Sequence, residues 1–222
     1  MRHFRIYLLT IIISILQIYC SPCIGRRILP KKSIEIESFA SALIGDPEES
    51  IPVLPNLGFA LRYGLADKIT IGTTLNVTGF ALEGTLLMEP FAVFNLLKKH
   101  GKLPAVNLYT AVPFVCFFKN PGLRVFPLIG ICPVWGADKF DIFFSCESSF
   151  DRKQFDNGVD IHASLRAGGT FYPLAHRGIY AEAGFLNINH PSWINNSKKG
   201  VFSISIGYTR NITLSGNKHE ND

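Results

Sequence analysis

From Ser33 to Asn211 the chain repeats one theme, in which large apolar residues alternate with small or polar ones and turn residues separate the runs. The plainest run is Leu57-Gly-Phe59-Ala-Leu61-Arg-Tyr63-Gly-Leu65, whose odd positions are all large and apolar. After Ala66-Asp67 the pattern resumes, with Ile69, Ile71, Leu75 and Val77 on one face and Thr70, Gly72, Thr74 and Asn76 on the other. Further on, Ile161, Ala163 and Leu165 alternate with His162, Ser164 and Arg166. Ile179, Ala181, Ala183 and Phe185 alternate with Tyr180, Glu182 and Gly184, and Phe202, Ile204 and Ile206 with Ser203, Ser205 and Gly207. A period of two is the signature of a strand with two unlike faces.

The runs predict strands over 33–44, 56–65, 68–78, 80–92, 103–118, 122–134, 138–149, 158–172, 177–188 and 200–211, ten in all and eight to ten as a working range. Leu103 to Phe150 is apolar on both faces, and Pro104, Pro113, Pro127 and Pro133 predict bulges or irregular pairing there. Only Phe91 to Lys99 suggests a helical turn. Strands joined by short turns, with no helical crossovers, give an antiparallel up-and-down meander. The fold class expected is therefore all-β, an antiparallel β-barrel.

Alternation leaves open which face meets water. A soluble barrel turns its polar face to bulk solvent, where Lys and Glu are usual. Here none of the twelve Lys stands in the middle of a polar row. The polar rows hold Gly, Ser, Thr and Asn with a few isolated charges, which suits a narrow lumen, and the apolar rows suit lipid. If the first strand starts on the periplasmic side, the connections near 45–55, 150–157 and 189–199 fall outside and are long. Those at 66–67, 135–137 and 173–176 fall inside and are short, with 93–102 as an exception.

Composition agrees. Apolar residues make up 47% of the chain and charged ones 18%, the reverse of a disordered profile. The net charge of +5 could suggest nucleic acid, but the cations fall at turns along the sequence and form no stripe, so that partner is excluded. Arg2, His3 and Arg5 precede an apolar run from Ile6 to Ile18, the layout of a signal peptide over 1–20. Cys20 is a candidate lipidation site in a loose lipoprotein-type signal, with Cys20–Cys23 pairing as the alternative. A tether over 21–32, a barrel over 33–211 and a polar tail over 212–222 complete the domain plan. Cys116, Cys132 and Cys146 read as small apolar fillers, and no metal spacing or cofactor motif is present.

The runs PNLGFALRYGLADKITIGTTLN, RGIYAEAGF and FSISIGYTR resemble the hairpins of small uncharacterised Gram-negative outer-membrane β-barrel proteins. The resemblance covers most of 33–211 and implies an outer-membrane location, lipid as surroundings and the barrel-assembly machinery as a partner. It implies no activity.

The candidate chemistry is sparse. Arg62, Glu83, Asp160, His162, Arg166 and Glu182 are the charges and the histidine expected in the lumen. At about 3.4 Å per residue, a turn at 173–176 sets Glu182 opposite Gly168 and diagonal to Arg166, predicting a lumen ion pair. His162 and Ser164 have the spacing of some outer-membrane lipid hydrolases, but they fall in the polar row and Glu182 is too far away to complete a relay. A plug of paired charges in a barrel without catalytic residues is thus the leading reading, with a structural, adhesive or small-solute role. A soluble or lipid-anchored periplasmic barrel binding a hydrophobic ligand, and a lipid-modifying hydrolase, are the alternatives.

Overall fold

The computed structural model describes residues 27–44, 54–78, 85–118, 122–152, 159–186 and 201–213. Twelve strands follow one another: β1 Ser33–Ile44, β2 Leu54–Ala66, β3 Ile69–Asn76, β4 Thr85–Leu97, β5 Ala105–Ala111, β6 Phe114–Phe117, β7 Gly122–Val125, β8 Leu128–Gly136, β9 Phe140–Arg152, β10 Val159–Leu174, β11 Arg177–Leu186 and β12 Val201–Thr213. All pairings are antiparallel. The order β3-β2-β1-β12-β11-β10-β9-β8-β5-β4 closes through β3–β4 into a ring of ten.

β5 and β6 are one wall strand interrupted at Val112-Pro113, and β7 and β8 are another interrupted at Phe126-Pro127. Register shows this: Phe91 pairs with Ala111 and Met88 with Phe114, so the two pairings against β4 lie on one continuous ladder. Likewise Ala111 pairs with Leu128 and Phe114 with Val125. Proline has no N–H to give the ladder, and the chain breaks where that donor is missing. The ten-strand count and the irregularity at these prolines agree with the pattern of the sequence.

Two expectations are corrected. β4 runs straight through Phe91–Leu97, so no helical turn forms there. Both faces of that stretch are apolar because its inner face is covered: Phe91 and Val93 pack with Tyr109, Ala111, Ile28 and Leu128. The long strand also shortens the connection to β5 to 98–104, where the sequence pattern implies a long inner loop.

The faces divide as the alternation implies. Phe59, Leu61, Ile161, Ile204 and Ile206 are exposed on the outer wall, while Gly58, Thr74, Ser164 and Ser205 are buried inside. Large inward side chains recur opposite glycines. Phe39 pairs with Gly58, Phe91 with Gly72, Phe143 with Gly168 and Tyr180 with Gly207. A Cβ built on Gly207 would stand 2.6 Å from the Tyr180 ring, and one on Gly168 2.7 Å from Phe143. The missing Cβ is the seat on which each ring lies flat over the neighbouring strand.

Of the residues expected as a tether, those described, 27–32, fold back into the short-turn end of the barrel. Leu29 is 1% exposed and donates its N–H to Thr70 Oγ1 at 2.8 Å. Lys32 takes the left-handed region at φ 61°, reversing the chain so that its N–H reaches Gly64 O at 2.8 Å. Ile212 and Thr213, expected in the polar tail, continue β12 and pair with Ile34 and Ser33 of β1, while the signal segment, Cys20 and residues 214–222 lie outside the described residues.

Candidate functional site

The site is the inside of the barrel. β1 alternates Ile34 and Ile36 outward with Glu35 and Glu37 inward, and β2 places Arg62 directly opposite Glu35. Arg62 is fully buried. It forms an ion pair with Glu35 and a second, at 3.4 Å, with Glu37 Oε2. Tyr180 of β11, two strands away, donates its hydroxyl to Glu37 Oε1 at 2.6 Å. A guanidinium shared by two carboxylates, with a phenol on the second, leaves few acceptor positions unmet in a dry interior.

A second network stands on β9, β10 and β11. Glu182 lies opposite Gly168, and Arg166 reaches it diagonally, Nη1 to Oε1 at 2.9 Å. Glu147 Oε2 is 3.6 Å from Arg166 Nε, and Glu147 Oε1 accepts from Ser145 Oγ at 2.7 Å. Further round, Tyr109 of β5 donates to Glu89 of β4. All these charged groups are at most 4% exposed. In a water-filled pore their side chains would be wet.

Apolar contacts lie beside these networks. Phe39, Tyr180, Phe143 and Cys132 form one contiguous cluster that reaches from β1 to β8, strands five places apart in the ring of ten. At the short-turn mouth Arg27 pairs with Glu35, lies 3.6 Å from Asp141 Oδ2 and stacks 4.7 Å over the Tyr172 ring. Tyr172 in turn donates to Asp141 at 2.9 Å. The folded-back segment is therefore tied to β1, β3, β9 and β10 at once.

Of the candidates named from sequence, the structure brings Arg166 and Glu182 together and pairs Arg62 with acids that the sequence reading did not single out. His162 and Ser164 are buried on the same inner row, facing away from lipid. Ser164 stands opposite Glu147 in register, but Glu147 is engaged by Ser145 and Arg166. Asp160 lies on β10 with its side chain outside the described residues, as is the whole of Glu83. Glu35, Glu37, Glu89, Glu147, Tyr109 and Tyr180 were missed. The alternation Ser33-Ile-Glu35-Ile-Glu37 would have revealed the first two.

No family model and no curated protein matches the chain. Among solved structures, an outer-membrane channel from Pseudomonas putida F1 is similar over 86% of this chain and 99% of that one, with a TM-score of 0.51 and 12% identity. The translocator domain of the autotransporter NalP from Neisseria meningitidis covers 84% of this chain and 90% of its own, at TM-score 0.44 and 10% identity. The outer-membrane protease OmpT from Escherichia coli covers 85% and 100%, at TM-score 0.42 and 10% identity. At such identity the likeness speaks of fold alone. A closed antiparallel ring of ten, apolar outside and polar inside, is the fold of an outer-membrane β-barrel.

Proposed function

We propose that this chain is a structural outer-membrane barrel with a closed lumen, neither an enzyme nor an open pore. The observation that carries the reading is the near-complete burial of Arg62, Arg166 and the glutamates around them, since an aqueous path at their level would expose them. The folded-back segment at residues 27–32 closes the short-turn mouth as a second barrier. Export through the N-terminal segment, lipidation at Cys20 and insertion by the barrel-assembly machinery belong to the same reading.

The soluble-carrier alternative needs an apolar interior to hold its ligand. Among the described residues the interior instead holds ion-paired Arg62 and Arg166 with their glutamates, beside apolar clusters around Phe143 and Phe91, while many of the large aliphatics stand on the outer wall. The hydrolase alternative needs its His and Ser at the lipid face, and here they are inward. The test is reconstitution of the purified full chain in planar bilayers. The record expected is free of stepwise openings, whereas stable steps carried by most inserted barrels would overturn the closed-lumen reading.

A further inference from the structure

The cations that lie apart in sequence are gathered by the fold at one end. Lys31 and Lys32 sit in the turn before β1, Lys68 between β2 and β3, and Lys98, Lys99 and Lys102 between β4 and β5. Lys139 lies between β8 and β9, while Arg177 opens β11 and Arg210 stands near the end of β12. All are exposed. Among the described residues at this end, only Asp67 and Asp138 are exposed acids.

Within this rim one arrangement is specific. Arg177 and Arg210 are direct cross-strand partners, and both are exposed on the outer wall. Directly opposed side chains start about 5 Å apart at Cβ, and like charges so placed destabilise the pair of strands. Their flanking partners in register are Leu174 on β10 and Ile36 on β1, both exposed and apolar. Ile179 and Tyr208, next along the same outward rows, are exposed too. Among the described residues no acid lies within ion-pair distance of either arginine. Two guanidiniums are thus set side by side where the lipid-facing apolar rows end, at headgroup depth, with a tyrosine beside them.

We propose that Arg177 and Arg210 form a clamp for the phosphate of an anionic phospholipid headgroup at the short-turn end of the barrel. Guanidinium forks match phosphate oxygens, and an anion held between the two removes their mutual repulsion. The apolar neighbours Ile36 and Leu174 lie where the acyl chains of the same lipid would run. The other lysines of the rim raise the local concentration of anionic lipid without fixing its position. The proposal rests on the wall facing lipid, and it is independent of whether the lumen is closed.

The test uses the full chain refolded in a maltoside detergent free of phosphate. Bound lipid is counted by native mass spectrometry after adding phosphatidylglycerol or phosphatidylcholine, with inorganic phosphate as a separate arm. The wild type should prefer phosphatidylglycerol, and each Arg→Gln change should reduce that preference roughly fivefold. In the lipid-free detergent Arg210→Gln should keep or raise the urea midpoint, because it removes a like-charge contact. In phosphatidylglycerol vesicles the same variant should fall below the wild type. An undiminished preference in the double variant overturns the clamp, as does a midpoint lowered equally in both media. Inorganic phosphate binding as tightly as the lipid would make the ligand a free anion and overturn the lipid assignment. A chain that stays monomeric in plain buffer would instead refute the membrane reading itself.

Discussion

Replacing Arg62 by Met is the most direct probe of the lumen. Met keeps most of the stem that lies over Gly72 and removes only the charged head. What remains is a pair of buried carboxylates, Glu35 and Glu37, two residues apart on one face of β1, hence about 7 Å apart. At an effective dielectric of about 20 their repulsion comes to roughly 2.4 kcal/mol. Removing one member of a buried ion pair costs about 3–5 kcal/mol in general. Because Arg27 still touches Glu35 and Tyr180 still donates to Glu37, the lower end, about 3 kcal/mol, applies. With a urea slope of about 2 kcal/mol per molar, the midpoint of barrels refolded in vesicles should drop by roughly 1.5 M. Adding Glu35→Gln and Glu37→Gln removes the stranded charges, while the amide oxygen introduced by the second change still accepts from Tyr180. The triple variant should therefore regain more than half of the loss. An unshifted midpoint for Arg62→Met, or a triple variant as weak as the single one, would refute the claim that charge pairing holds this part of the lumen together.

In a double-mutant cycle, Arg166→Ala and Glu182→Ala should couple by about 1 kcal/mol or more, and additive losses would mean that the 2.9 Å contact is absent in the membrane. Gly207→Val puts atoms where the Tyr180 ring lies and should destabilise the barrel by about 2 kcal/mol, whereas Ala181→Val on the outer wall should be silent; heat-modifiable gel migration separates the two. Arg27→Ala unties the folded-back segment from Glu35 and Asp141, so brief conductance steps missing from the wild type are expected in planar bilayers. Single cysteines at Ile204 and Ser205, in a background without native thiols, should differ, Ile204 reacting with a lipid-soluble reagent and poorly with a water-soluble one.

The start of β1 at Ser33 was legible because polar and apolar positions alternate from Ser33 to Glu37 directly after the turn signal at Pro30-Lys-Lys32, although the alternation inverts at Ser38-Phe39. The pairing of Glu182 with Gly168 was legible from the place of the turn, although the structure reaches it through a bulge between Phe171 and Leu174 that shifts the register by one residue. β4 was not. Its inner row holds Phe91 and Val93 against Ile28, and a strand apolar on both faces shows no period of two. The partners of Arg62 were hidden for a different reason. Glu35 and Glu37 were readable as inward residues, but the link from Glu37 to Tyr180 crosses β12 and joins positions 143 apart in the chain. Only closure of the ring brings them together. The Arg177–Arg210 pair was hidden because the connection between β11 and β12 is long, so the sequence does not fix which residues of the two strands stand opposite each other.

Glycine content and the burial of the inward charges are two sides of one packing problem. In a ring of ten, inward side chains from opposite walls compete for a narrow space. One solution is small residues throughout, which leaves a channel. This chain takes another, in which a large residue on one strand lies over a glycine on the next. Phe39, Phe91, Phe143 and Tyr180 do so with rings, while Arg166 over Gly184 and Glu147 over Gly130 do so with charged stems. Lying over the neighbouring strand brings the charged heads sideways into each other's reach, as in the contact between Arg166 and Glu182. A glycine replaced by Ala would push the seated side chain toward the axis, so these seats both admit the large inward side chains and set the register of the charges. The same seating explains why inward glycines cluster where strands carry large partners, and why the outer rows, with no such crowding, contain large aliphatics.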